Sequence, residues 1–543
     1  MSTPGRSAMG LARGVLSTPG AAWGCVTSGR TWRGMGSSVS GDLGKTPRGL
    51  THAPGLHGDV TPERTAPSTV RNGLWNAGAN ALIAVAGLFS SVVVVRSLSP
   101  EAYGVMSYYL WLASVTGALG TLALPHALTK VAAELLGQNR EPDAEALTAL
   151  VWRVTLLLNG VILLLLTAVW LGQGRNPYLL MVAATQLPLA LASIVSSHLW
   201  ARQDYRPVAL WTGAAALVQV ALVVLAHTFG WAGPGFAAAV LGSGAVTWLG
   251  LLGHLGRIPG SRGGRVLRPV LGQYAAFLLP ATLSRLIEVV VWQRSELFFL
   301  SRFSGETQIG FYNLAYTIYS IALAVGWALI NGYYPAISHH HGARQPQAIR
   351  RQVQQGVTLA VLYAAPVSFG AVVLLNGVVR LLYGDKMLPA VAVGQVLLLG
   401  LTPGVLCGML TLTLSAVGRV WLGVTLGLLV ALVNLWLALW LIPRQGALGA
   451  AVATTAAQFV YFLGLSWVVS RVCGLRIAWA PPTRLLLLAS ATTLALPLLL
   501  LHLLPGPDLL KLLLATLVSG ACYLALLWRG GELRLLQTQG GPS

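Results

Sequence analysis

Four residues with chemically useful side chains lie within one apolar stretch, residues 271–297: Arg285, Glu288, Trp292 and Glu296. At about 100° per residue of an α-helix, they fall within an arc of roughly 80° and form one stripe. A guanidinium can bind phosphate oxygens through two parallel hydrogen bonds, and a glutamate in apolar surroundings can take up a proton or a cation. The stripe therefore predicts anion binding or the uptake of a coupling ion.

The composition indicates what surrounds this stripe. Only 9% of the 543 residues are charged, 55% are hydrophobic and the mean hydropathy is +0.70. A soluble domain carries about 25% charged residues, so a water-soluble globule is excluded. Apolar runs of about 20 residues, the length that crosses the hydrocarbon core of a bilayer, recur from Leu74 onwards. The fold class is predicted to be all-α, a polytopic membrane protein.

Ionisable groups inside membrane helices are costly, so they tend to be paired or functional. A polar stripe cannot face lipid, and we expect this one to face a cavity. The alternative is structural: Arg285 and Glu288 have the i, i+3 spacing of an internal ion pair that neutralises itself and holds helices together. If Arg285 instead contacts a pyrophosphate, the two glutamates repel that anion and further cations must contribute.

Apolar runs bounded by Gly, Pro or charge predict fourteen transmembrane helices, arranged as two six-helix lobes plus two C-terminal helices. Residues 1–71 are rich in Gly, Ser, Thr, Pro and Arg and are predicted to be a disordered cytoplasmic tail or the product of a misassigned start codon. The remaining predicted divisions are an N-lobe at 72–256, a basic cytoplasmic linker at 257–270, a C-lobe at 271–472, and spans thirteen and fourteen with a short cytoplasmic tail at 473–543.

The net charge of +20 would suggest nucleic acid in a soluble chain, but in a membrane protein it reports topology. Most Lys and Arg residues fall on the side of the N-terminus, which predicts cytoplasmic termini, a cell-membrane location and no nucleic-acid partner. The four cysteines form no CxxC pair, and no nucleophile motif, phosphate-binding loop or metal motif stands out. We therefore expect no catalytic residues, no metal and no cofactor.

Two further groups of polar residues are candidate binding residues. Asn76 and Asn80 lie one turn apart near the start of the first span, where they can hydrogen-bond sugar hydroxyls or grip a neighbouring helix. Asn313 and Tyr316 lie in the eighth span, where an amide and an aromatic ring can bind a sugar. A tyrosine near a membrane interface can equally belong to the aromatic belt.

The sequence contains an internal echo. RSLSPEAYG, from Arg96 to Gly104, and RFSGETQIG, from Arg302 to Gly310, both place Gly eight residues after Arg, and each precedes an aromatic-bearing span. The offset of 206 residues is close to six spans with their loops. This favours two parallel repeats, which many transporters place on either side of a central site.

These stretches also carry a family resemblance. VVRSLSPEAYGVMSYYLWLAS, RSELFFLSRFSGETQIGFYNLAYTIYS, LLYGDKMLPAVAVGQVLLLG, AVGR and IPRQGALGAAVATTAAQ together resemble the polysaccharide flippases of the multidrug/oligosaccharidyl-lipid/polysaccharide superfamily, and the chain is also similar to lipid II flippases. The resemblance implies two lobes around a cavity that move a polyprenyl-pyrophosphate-linked glycan to the outer leaflet by alternating access. It further implies contact with membrane lipids, a lipid-tail groove formed by the last two spans, and glycan polymerase or glycosyltransferase partners.

Three alternative functions stay open at this point. A drug or cation antiporter of the same superfamily usually needs acidic residues in the first lobe, and spans one to six contain no acid well inside a span. A membrane-embedded glycosyltransferase or polymerase needs carboxylates at the outer face, where only Glu101, Glu306, Asp385 and Asp508 occur, on four short connections. A pseudo-transporter that scaffolds cell-wall synthesis is compatible with the same sequence.

Overall fold

The fold is given by a computed structural model, which describes residues 67–172, 174–254, 268–287, 295–475, 477–503 and 508–529. Throughout these residues the regular structure is helical, with no β-strand. The helices of the first half are α1 (Pro67–Ser97), α2 (Pro100–Thr121), α3 (Leu124–Gly137), α4 (Glu141–Gly172), α5 (Pro177–Ala201), α6 (Arg206–Thr228) and α7 (Gly233–Leu252).

The helices of the second half are α8 (Arg268–Ile287), α9 (Glu296–Phe303), α10 (Glu306–Asn331), α11 (Tyr333–Gly342), α12 (Pro346–Tyr383), α13 (Ala390–Leu399), α14 (Leu401–Ala416), α15 (Val420–Trp467), α16 (Ala480–Ala489), α17 (Leu496–Leu503) and α18 (Asp508–Arg529). Short π-helical segments follow α15 and α16. Residues 1–66, most of the predicted linker and residues 530–543 lie outside the described part. Helix α1 begins at Pro67, five residues before the predicted start of the N-lobe, and proline suits a first helical position because its φ is fixed.

Where their residues are described, the predicted spans are largely helical, with interruptions at turns such as Leu122–Ala123 and Gly332. Ten helical stretches of the described chain, some made of two consecutive helices such as α10 and α11, are long and apolar enough to cross a membrane, and an eleventh candidate is the pair α2 and α3, bent by 41°. The count is below fourteen because several predicted spans are bent, short or merged. Predicted spans eleven and twelve form the single assigned helix α15, which contains a break at Gly446.

The break in α15 is a reversal of the chain. A Cβ added to Gly449 would lie 2.5 Å from the Leu441 carbonyl oxygen, although eight residues of straight helix span about 12 Å. The Ala447 N–H at this turn donates to Gln308 Oε1 at 3.0 Å. The two arms of α15 therefore cross the membrane separately, as the sequence predicts.

The helices form two lobes. In the first, α1 packs on α6, α6 on α7, and α5 on both α4 and α7, while α3 fills the angle between α4 and α5. In the second, α12, α13, α14 and α15 pack around α10, and their buried side chains form one continuous apolar core. Helices α16 to α18 pack along α12 at the periphery of the second lobe.

Helix α8 contacts the first lobe as well as the second. Its Tyr274 is buried against α3, where the hydroxyl donates to the Leu124 carbonyl at 3.2 Å, and the Ala123 N–H donates to Thr282 Oγ1 at 3.4 Å. The following helix, α9, packs on α15 in the second lobe. The two described parts of the predicted seventh span thus pack on different lobes, and residues 288–294 between them lie outside the described part.

Candidate functional site

The two halves of the internal echo meet where α2 and α10 begin. A Cβ on Gly104 would lie 1.8 Å from the Glu306 carbonyl oxygen, and a Cβ on Gly310 would lie 2.4 Å from the Pro100 carbonyl oxygen. Glu306 follows Pro100 by the same 206 residues that separate the two glycines, so the two contacts are equivalent under exchange of the lobes. Only glycine permits this backbone approach. We call this part of the interface the closed end.

Polar side chains continue the contact one turn further along both helices. The Asn313 amide on α10 donates to the Tyr103 hydroxyl and to Ser107 Oγ on α2, both at 2.8 Å. Asn313 is only 6% exposed. Because buried polar groups are costly to leave unpaired, these hydrogen bonds favour the joined arrangement of the two lobes.

A second contact between the lobes, which we call the clasp, joins α1 to α12. The Arg96 guanidinium donates to the Leu381 and Leu382 carbonyls in the last turn of α12. Lys386 Nζ donates back to the Arg96 and Leu98 carbonyls at the end of α1. Helix ends present unpaired carbonyls and a partial negative charge, so each cation satisfies the end of the opposite lobe's helix. Partial burial lowers the pKa of Lys386.

Beyond the closed end lies a cavity of about 1210 Å³ between the lobes, which we call the central cavity. Helix α2 forms one wall through Leu110, Trp111 and Ser114, and α10, α11, α14 and α15 form the others. Along the α10 side it runs from Tyr316 to Tyr334, roughly 27 Å of helix. It can accommodate a ligand of several rings.

The wall formed by α10 is rigid. The Tyr316 ring packs edge-on against Tyr319 at 5.7 Å between centroids and is tilted against Tyr312 at 6.0 Å. The Tyr319 hydroxyl accepts a 2.7 Å hydrogen bond from Gln458 Nε2 on α15. The Tyr312 hydroxyl lies 3.3 Å from Thr454 Oγ1, also on α15. The Tyr316 ring, itself half-buried, is therefore presented to the cavity in a fixed orientation.

Behind this wall lies Glu296, the one buried carboxylate among the described residues, with 2% exposure. Its Oε1 accepts hydrogen bonds from Asn434 Nδ2 at 3.1 Å and from Thr454 Oγ1 at 2.8 Å. Within the described chain no Lys or Arg pairs with it. Asn434 Oδ1 is also buried and has no hydrogen-bond partner there. The buried Tyr312 hydroxyl also interacts with this carboxylate, so Glu296 is surrounded by neutral hydrogen-bonding groups.

The residues predicted from the sequence lie in several places. Tyr316 lines the central cavity. Glu296 contacts Thr454 of the cavity wall, and Arg285 is half-buried, one turn beyond Thr282 on α8. Asn76 and Asn80 are exposed on α1, away from the described cavity wall.

Of the three other predicted residues, Asn313 lies in the contact of α10 with α2, and Glu288 and Trp292 lie outside the described residues. The predicted arc treated the four residues of the stripe as parts of one continuous helix; Arg285 lies in the last turn of α8, Glu296 is the first residue of α9, and residues 288–294 between them are outside the described part. The common face of these four residues stays a prediction.

Several lining residues were missed from the sequence: Trp111, Tyr319, Trp327, Tyr334 and Tyr461. A signal for part of the set existed, because Tyr316, Ser320, Trp327 and Tyr334 recur at helical spacing on one face of α10 and α11. The rest of the wall comes from α14 and α15, and no local pattern marks those residues.

Family models match most of the chain. The model described as polysaccharide biosynthesis protein matches residues 69–341, half of the chain. The chain belongs to the polysaccharide biosynthesis protein family. The model described as lipid II flippase MurJ matches residues 269–507, which overlaps this region and extends it through the second lobe. No curated protein matches the chain in sequence.

Solved structures support the same fold for this family member. A lipid II flippase MurJ in an inward closed conformation superposes with a TM-score of 0.70 at 14% identity, covering 84% of this chain and 99% of that one. An inward-facing multidrug resistance MATE family transporter of the MOP superfamily gives 0.61 at 16% identity, covering 72% and 95%. A Vibrio cholerae MATE transporter gives 0.52 at 16% identity, covering 75% and 98%.

These matches establish the coarse function. The protein is a multi-pass membrane transporter or flippase of the multidrug/oligosaccharidyl-lipid/polysaccharide superfamily, connected with polysaccharide biosynthesis. Its solved neighbours are transporters and flippases. The resemblance and the fold class predicted from the sequence are confirmed.

Proposed function

We propose that the protein is a lipid-linked oligosaccharide flippase, which moves a polyprenyl-pyrophosphate-linked glycan from the inner to the outer leaflet by alternating access. The observation that carries the proposal is the central cavity, which combines aromatic rings with hydroxyl and amide groups and lies beside the close contact of α2 with α10. Rings and neutral hydrogen-bonding groups are what a sugar requires, and a contact between the lobes that can close one end is what alternating access requires.

The proposed location is the cell membrane, with both termini in the cytoplasm. The excess of Lys and Arg on the side of the N-terminus supports this orientation. Helix α1 then runs outwards, and the closed end, which follows α1, faces the outside. The proposed N-lobe and C-lobe keep the boundaries predicted from the sequence. A glycan polymerase or glycosyltransferases on that side are proposed partners that would use the exported substrate.

Arg285 is the proposed ligand of the pyrophosphate. It lies on α8, which contacts α2, α3 and α15, and α2 and α15 also line the cavity. We expect Arg285→Ala to lower flipping to below about a tenth of wild type, since a bidentate arginine–phosphate pair contributes more than one ordinary hydrogen bond. Arg285→Lys, which keeps the charge but not the planar fork, should be intermediate. Wild-type flipping by a normally inserted Arg285→Ala protein would remove Arg285 from the site.

Glu296 is the proposed coupling residue. A carboxylate held by neutral donors, beside an amide oxygen that has no partner among the described residues, can bind a proton or a small cation, and Thr454 connects it to the cavity wall. A proton or cation bound at Glu296 would neutralise its negative charge in the second lobe. This would change the stability of one lobe arrangement relative to the other. Transport would then be driven by an ion gradient.

A drug or cation antiporter is the closest rival within the superfamily. The described acids of the first lobe are exposed or half-buried, and four of them are neutralised in ion pairs with Lys or Arg. A site for organic cations would place a carboxylate in the cavity, and no described lining residue is acidic. This favours the glycan substrate. A glycosyltransferase or polymerase is the rival of another class.

The proposal is tested by reconstituting the purified protein in vesicles with a polyprenyl-pyrophosphate disaccharide that carries a fluorophore on its sugar. An impermeant reductant added outside bleaches only the outer leaflet. We expect full bleaching in protein-containing vesicles without ATP, and half bleaching in protein-free vesicles. Bleaching confined to the outer half, under every ion gradient tried, would overturn the flippase proposal. Export of cationic dyes in its place would favour the antiporter.

A further inference from the structure

The described wall of the central cavity is aromatic and carries no charged side chain. Six aromatic rings line it, from Trp111, Tyr316, Tyr319, Trp327, Tyr334 and Tyr461. Serine, threonine, asparagine and glutamine supply its polar groups, and no described lining residue is Lys, Arg, Asp, Glu or His. A ligand in this space therefore meets ring faces and neutral hydrogen-bonding groups.

We infer that the central cavity selects lipid-linked glycans whose sugars carry no charge, and that it holds a sugar ring against the indole of Trp327. The inference rests on the proposed flippase function and narrows its substrate class. The apolar face of a sugar ring packs on an aromatic ring, while its hydroxyls exchange hydrogen bonds with neutral side chains. A uronic or sialic acid would bring a carboxylate into a space where no described lining residue is a cation that could pair with it.

Trp327 is the ring best placed for this role because it is both available and supported. It is 45% exposed on α10, within the cavity wall. Its indole lies on Gly408 of α14, where an added Cβ would be 2.8 Å from Nε1 and 3.0 Å from Cδ1. The glycine thus provides the space that the Nε1 edge of the indole occupies against α14. Bulk at position 408 would displace the ring without removing it.

Polar groups flank this platform on both sides. Asn331 lies one turn beyond Trp327 on the same face, Ser320 lies two turns before it, and Thr411 projects from α14. Each can donate and accept, so the set matches the mixed donor and acceptor character of sugar hydroxyls. The pyrophosphate is also an anion, and no described residue of this wall is a cation that could pair with it. We therefore expect it to lie nearer the proposed Arg285 site.

The experiment compares two probes that differ only in charge. Both carry the same polyprenyl pyrophosphate and a tritium-labelled disaccharide, either neutral and N-acetylated or with one residue replaced by a uronic acid. An impermeant pyrophosphatase added outside releases label from molecules that have reached the outer leaflet. We expect the wild-type protein to flip the neutral probe at least about tenfold faster, because one unpaired buried charge costs more than the 1.4 kcal/mol that a factor of about ten represents.

Variants then test the platform itself. Trp327→Ala should slow the neutral probe about tenfold, Trp327→Phe should retain most of the rate, and Gly408→Val should slow it while leaving the indole in the chain. The matched control is Trp421→Ala, which removes a tryptophan that is 58% exposed on α15 and does not line the cavity; it should flip at the wild-type rate.

The outcomes separate this inference from the flippase proposal. If the wild-type protein flips neither probe, the proposed function fails. If it flips both at equal rates, or the uronic acid probe faster, the flippase stands and the selection for neutral sugars is wrong. If Trp327→Ala inserts normally and flips the neutral probe at the wild-type rate, the assigned platform is wrong.

Discussion

We expect Gly104→Ala to reduce flipping to below about a tenth of wild type, because the added methyl group would overlap a backbone carbonyl that cannot move aside alone. The Cβ would lie 1.8 Å from the Glu306 oxygen, so α2 and α10 would have to separate by more than an ångström. Every conformation in which this end is closed would be disfavoured. Gly310→Ala should act in the same way at the equivalent contact, 2.4 Å from the Pro100 oxygen.

A cysteine in the cavity wall allows this prediction to be tested by labelling. Cys407 lines it and is buried. In a protein whose other cysteines are replaced by serine, an impermeant maleimide added at the closed end should label Cys407 slowly in the wild type and faster in Gly104→Ala. Gly160→Ala is the control, because its Cβ would meet nothing within 4 Å. Unchanged flipping and unchanged labelling in Gly104→Ala would show that the α2–α10 contact does not close the cavity.

The second large effect is expected for Glu296→Gln. The amide has nearly the shape of the carboxylate, but it cannot take up a proton or provide a negative charge for a cation. Flipping should fall to below about a tenth of wild type and lose its dependence on the ion gradient. An ion that binds both lobe arrangements equally well cannot shift the equilibrium between them. Measuring flipping against a sodium gradient at fixed pH, and against a pH gradient at fixed sodium, distinguishes the two ions.

Thermal unfolding separates this coupling role from a structural one. In Glu296→Gln the new side-chain amide could donate to Asn434 Oδ1, which has no partner in the described wild-type chain, so the melting temperature should be unchanged or higher. Glu101→Gln, which alters an exposed acid in the first turn of α2, is the matched control and should flip normally. A Glu296→Gln protein with wild-type rate and wild-type ion dependence would assign coupling to another group.

The lengths of the apolar runs determined which helices could be predicted from the sequence. The helices lie where apolar runs of membrane-crossing length predicted them, because burial in lipid depends on local composition. The 206-residue echo correctly pointed to equivalent segments, and Ser107 and Asn313, which share that offset, are hydrogen-bonded. Equivalence does not reveal contact, however, and the close approach of Gly104 to Glu306 depends on how two lobes pack.

The central cavity could be predicted only in part. Tyr316 was named as a sugar-binding candidate, and the neighbouring Trp327 shares its face by a spacing that the sequence displays. The support for Trp327 comes from Gly408, eighty-one residues away on α14, and the orientation of Tyr319 comes from Gln458 on α15. Such pairs are set by helix packing, which neither periodicity nor local motifs encode. The predicted stripe stays untested because Glu288 and Trp292 are not described.

The acceptors in the clasp are all backbone carbonyls. Arg96 and Lys386 hold the lobes together through groups that never ionise, whereas a carboxylate in their place would be protonated in acidic surroundings. Acidification of the medium beyond the membrane therefore leaves the clasp intact. The trigger that parts the lobes is therefore expected elsewhere in the molecule, where Glu296 is the proposed residue.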